Sequence, residues 1–163
     1  MNYSGKTQME TNLLADIHTK VVHFPIALFT TYAVLEISGI ILNKEFLSKS
    51  ALLILCIGVV TSFFAVLTGN QAATDFTLWN NESSTLLNDH QSYATYTLWF
   101  AVFICVLRIF IVLKKKMFGP IKYLFIFLAL VLIFLVFNTG NYGGDLVKKF
   151  GIGTDVIRQN ETK

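Results

Sequence analysis

VVHFPIALFTTYAVLEISGIIL, residues 21–42, is an apolar run with one formal charge inside it, Glu36. At about 1.5 Å per residue a helix of this length crosses a hydrocarbon core of roughly 30 Å. Three more runs follow, at about 51–68, 93–113 and 121–138. Each is about 18 to 22 residues long, which just suffices for a span at the short end. None alternates apolar with polar residues, so a transmembrane β-barrel does not fit.

Composition agrees. Of 163 residues, 54% are hydrophobic and 14% charged, and the mean hydropathy is +0.60. A water-soluble fold of this size cannot hide so much apolar surface. The expectation is therefore a single all-α membrane domain over residues 1–163, a polytopic four-transmembrane-helix bundle in the lipid bilayer. The polar first twenty residues and the long first run do not fit a cleavable signal. The net charge of +3 comes with no aromatic-basic pattern, so no nucleic acid partner is expected. No H-E-x-x-H, Cys-x-x-Cys, phosphate loop or nucleotide fingerprint occurs, and no Ser-His-Asp arrangement points to a hydrolase. Cys56 and Cys105 fall inside spans and read as small apolar side chains rather than a disulfide.

Charge sets the expected orientation. The connections at 43–49 and 114–122 hold Lys44, Lys49, Lys114, Lys115, Lys116 and Lys122. The middle connection, 70–92, has no Lys or Arg but carries Asp75, Glu82 and Asp89. Positive short loops mark the cytoplasm, so both termini are expected outside the inner membrane of a bacterium. Lys6, Lys20, Lys148, Lys149 and Arg158 in the tails pull against this reading.

The chain also reads as two related halves, about 11–75 and 83–145. TGNQAATD at 68–75 is echoed by TGNYGGD at 139–145. His18 precedes Glu36 by 18 residues, and His90 precedes Arg108 by 18. Two spans per half give the halves the same orientation, as two repeated helical hairpins. This alignment puts Glu36 and Arg108 at one depth on helices 1 and 3. Ionisable groups in a span face the bundle interior and usually pair, which predicts a buried Glu36–Arg108 ion pair that fixes helix register. Arg108 snorkelling toward Lys114 is the competing expectation.

The histidines are the chemical candidates. The chain has only three, His18, His23 and His90, and all fall at the outer face. Pro25 suits the first turn of helix 1, with His23 at or beside the N-cap. Leu13, Leu14, Ile17 and Val21 recur at helical spacing, which suggests a short interfacial helix before it. His18 and His23 are five residues apart, about 140° around an ideal helix, so they do not share a face. A ligand pair would need His90 with either His18 or His23. Helices 1 and 3 are diagonal in an up-down bundle, and opposed imidazoles there suit the iron of haem b. Gly69 and Gly140 allow close approach of a ring edge, or else act as helix C-caps. Tyr93, Tyr96, Trp99 and Trp79 read as an aromatic belt, with Tyr96 and Trp99 as secondary candidates to line a cofactor.

HTKVVHFPIAL, residues 18–28, resembles the His-Pro-x-x-Val-His-Phe-Pro-Ile signature of a family of bacterial membrane proteins, the domain of unknown function twenty-two thirty-one. GNYGGDLVKKFGIG, residues 140–153, resembles that family's closing Gly-Gly-x-Leu-Val motif. Thr19 stands where the family usually has proline. Some relatives are fused to Rieske or cytochrome c-type redox domains, which implies a membrane electron-transfer role.

Three readings stand. In the first, His90 with His18 or His23 binds haem b for electron transfer. An extracytoplasmic redox protein or a quinone is then needed as partner, because no inner histidine exists to ligate a second centre. In the second, the imidazoles hold a non-haem metal or a quinone with Asp75, Asp89 or Asp145. In the third, the chain is a cofactor-free structural or assembly subunit of a membrane complex. Whether the chain is an enzyme, and its oligomeric state, are left open.

Overall fold

The computed structural model describes residues 17–75, 79–114 and 119–152, the side chain of Asp75 excepted. It contains four long helices: α1 (His23–Ile41), α2 (Glu45–Asp75), α3 (Asn81–Leu113) and α4 (Ile121–Phe150). No strand occurs among the described residues. α1 packs on α2 and α4, and α3 packs on the same two helices. The pairs α1–α3 and α2–α4 therefore lie across the diagonals of an up-down bundle, as the chain order predicts.

Local chemistry sets the element ends. Pro25 has no N–H to give the carbonyl of Val21, and the helix is interrupted there. Residues 17–21 form a helical turn, Val22 is a turn residue, and α1 begins at His23. Val22 N still donates to His18 O at 3.0 Å, so the turn runs straight into α1. The residues at 13 and 14 lie outside the described residues. α1 ends with Asn43 at φ 56°, while Lys44 N donates back to Gly39 O at 2.9 Å. This is a Schellman stop with asparagine in the left-handed position. Asn80 caps α3: its side chain accepts from Ser83 N at 2.8 Å, and Ser83 Oγ accepts from Asn80 N at 3.0 Å.

Three helices outrun their apolar runs at the end that carries His18 and His90. α2 continues to Asp75, α3 starts at Asn81 and α4 continues to Phe150. These extensions add about two to three turns each. The two TGN segments are therefore helix interior, not turns, and Gly69 and Gly140 are not C-caps. The C-cap of α4 is Gly151, at φ 65°. Glycine weakens a helix but does not end one when the flanking residues pack. Beyond Gly140 the chain still buries Leu146, and that anchors the extension.

Burial is the reverse of a water-soluble bundle. The interior holds Phe29, Tyr32, Leu55, Ile104, Phe125 and Leu132, with Ala33, Ala101 and Ala129 where helices approach closely. Only 28% to 39% of the apolar window of each span is buried. Phe46, Leu53, Trp99, Phe127 and Phe137 point outward. An apolar exterior this extensive is stable only against lipid. Length and hydropathy make all four helices candidate spans.

Candidate imidazole site at the outer end of the bundle

His18, in the turn ahead of α1, and His90, in the outer part of α3, are both half-buried. They lie at the same end of the bundle, His18 against Gly69 of α2 and His90 against Gly143 of α4. His23 is exposed. Of the three expected ligands, the fold thus half-buries His18 and His90. The 140° separation of His18 from His23 accounts for this.

Hydrogen bonding orients both rings. His90 Nδ1 lies 3.0 Å from Thr139 O. A carbonyl only accepts, so Nδ1 carries the proton and Nε2 keeps its lone pair. His18 Nδ1 lies 3.3 Å from Thr68 Oγ1, and the carbonyl of Ala65 also accepts from the His18 ring. Both imidazoles are thus held by a neighbouring helix, as supporting bonds hold the imidazoles of metal sites.

Each ring also rests on a glycine. A Cβ added at Gly69 would lie 2.6 Å from His18 Cε1, closer than a methyl group tolerates. At Gly143 it would lie 3.1 Å from His90 Cε1. At Gly140 it would meet nothing within 4 Å. The glycine that seats the second ring is thus Gly143 rather than Gly140. The extended helix explains the change: residue 143 lies one turn on from Thr139, on the face turned to α3. Tyr93 stacks on Tyr142 at 5.1 Å beside this seat. The sequence offered no sign of that pair except two tyrosines near His90 and Gly143. Tyr96 and Trp99 are exposed, at 60% and 65%, and face the lipid as belt residues.

The acidic candidates lie elsewhere. Asp89 is exposed, and Asp145 pairs with Lys149 at 3.0 Å. The side chain of Asp75 lies outside the described residues. Among those residues, no group of three or more His, Cys, Asp or Glu gathers to hold a metal ion.

The bundle centre holds the expected ion pair. Arg108 Nη2 lies 3.1 Å from Glu36 Oε1 and 3.2 Å from Oε2, with the directed hydrogen bond to Oε2. The side chains are 2% and 0% exposed. The guanidinium also sits 4.9 Å over the ring of Phe125. Arg108 does not snorkel, because it reaches an acid across the diagonal and an aromatic face on α4.

Four helices long and apolar enough to span a bilayer, packed around a central ion pair, define a polytopic helical membrane protein. The chain belongs to the family described as Predicted membrane protein (DUF2231), which it matches over residues 15–156. Neither the curated proteins nor the solved structures include a match to it.

Proposed function

We propose that the chain is an electron carrier that binds one haem b between His18 and His90, near the outer face of a bacterial inner membrane. One observation carries this reading. Two imidazoles at one end of the bundle each have Nδ1 hydrogen-bonded to a neighbouring helix and the ring seated on a glycine. Haem needs only two ligands from the protein, whereas a zinc site needs three or four. Two half-buried, oriented imidazoles suit haem. Bound haem would supply one-electron redox chemistry. The protein's part would be to orient both imidazoles, seat them on Gly69 and Gly143, and keep water away with the apolar bundle.

One haem at the outer end does not carry electrons across the membrane. The carrier therefore exchanges electrons with an extracytoplasmic redox protein or with a quinone in the outer leaflet. The orientation rests on the lysines of the two inner connections, with both termini outside. In this reading each half of the chain supplies one ligand. Titration of the detergent-purified apoprotein with haemin tests the reading. It should bind one haemin per chain, with His18→Ala and His90→Ala each weakening binding and His23→Ala leaving it unchanged. Equal binding by all three variants would refute the ligand assignment and return the chain to a cofactor-free subunit.

A further inference from the structure

We propose that Cys56 and Cys105 form a second redox site, a dithiol within the span that a lipid-soluble quinone oxidises to a disulfide between α2 and α3. The proposal does not depend on haem. The two sulfurs lie 3.4 Å apart, and both cysteines are free. A disulfide forms at about 2.05 Å, so the sulfurs need to close by little more than an ångström. The pair bridges the seam between the first hairpin and the second.

Depth selects the oxidant. Cys56 lies twelve residues inward of Thr68 on α2, or about 18 Å along the helix from the imidazole site. Membrane-impermeant thiols and oxidants do not reach that depth. The seam, however, opens to lipid through an apolar groove. Val59 and Phe63 of α2 and Leu98 and Val102 of α3 line it, starting one turn outward of the cysteines. A two-electron acceptor that dissolves in hydrocarbon gains access there, and quinones are that class. In the reaction two S–H bonds break and one S–S bond forms. The two electrons and two protons pass to the quinone, whose two carbonyl oxygens become the hydroxyls of the quinol.

The test uses the whole protein in phosphatidylethanolamine–phosphatidylglycerol liposomes, fully reduced and held without oxygen. A short-chain benzoquinone with every ring position substituted is added, so that addition of sulfur to the ring is blocked. After denaturation the thiols are counted with a maleimide that adds mass. The chain has two cysteines, so the count should fall from two adducts to none, with one quinol formed per chain. Cys56→Ser and Cys105→Ser should each keep one adduct and form no quinol. If both thiols still react after quinone while diamide closes the bridge, the cysteines are neighbours without quinone chemistry and the proposal fails. It also fails if neither oxidant closes the bridge. The decisive reading is on unsubstituted protein, so it does not depend on the folding of a variant.

Discussion

Thr68 and Thr139 hold the two imidazoles by different atoms, and substitution separates them. Thr68→Val removes the hydroxyl partner of His18 Nδ1, so that ring loses one of the bonds that orient it. Haem affinity should fall by roughly 10- to 100-fold, the usual cost of losing such a supporting bond. Thr139→Val keeps the backbone carbonyl that holds His90, and affinity should hold, although the 3.0 Å contact with the Thr97 hydroxyl is lost. A haemin titration of both variants checks this, and equal losses would contradict a supporting role for the Thr68 hydroxyl. The ion pair gives a second residue-scale prediction. Glu36→Leu alone strands a buried guanidinium and should cost about 3–5 kcal/mol, while adding Arg108→Met should recover most of it. Thermal unfolding in detergent reads the difference. Much of this was legible: the 18-residue spacing of His18–Glu36 and His90–Arg108 named the ion pair before any fold was known. The partners of Nδ1 were not, because they lie 50 and 49 residues away on neighbouring helices.

The glycines of α2 and α4 make predictions at the level of the helix. Gly69→Ala places a methyl group against His18, and Gly143→Ala places one against His90 with less overlap. Both should weaken haem binding, Gly69→Ala the more. Gly140→Ala meets open space and should raise stability by up to about 1 kcal/mol through helix propensity. Reversal of that order, with Gly140→Ala the most damaging, would contradict the seating of the rings. Hydropathy located the spans well but not their outer ends. The segments beyond Thr68 and Asn138 are polar enough to read as loop, and two glycines reinforced that reading. Their helicity comes from packing: the imidazoles on their faces, the Asn80–Ser83 cap on α3 and the burial of Leu146. None of these has a local signature except the cap.

Across the whole molecule, the lysines predict which face meets the cytoplasm. Lys122 Nζ donates to Asn43 Oδ1 at 3.1 Å, so the two basic connections sit together at one end of the bundle. In a background without Cys56 and Cys105, Asn43→Cys should be shielded from an impermeant maleimide added to spheroplasts, and Glu82→Cys should react. The opposite pattern would invert the topology and place the imidazoles at the cytoplasmic face. The four-helix bundle was legible because lipid imposes long apolar runs, whereas the burial of His18 and the exposure of His23 needed the path of α1 past α2. The absorption spectrum of purified protein, expressed with ample haem, oxidised and then reduced with dithionite, tests haem binding. The expected result is a Soret band that shifts on reduction, with resolved α and β bands of a low-spin haem, lost in His18→Ala and His90→Ala but kept in His23→Ala. A well-folded protein with no Soret band would contradict it.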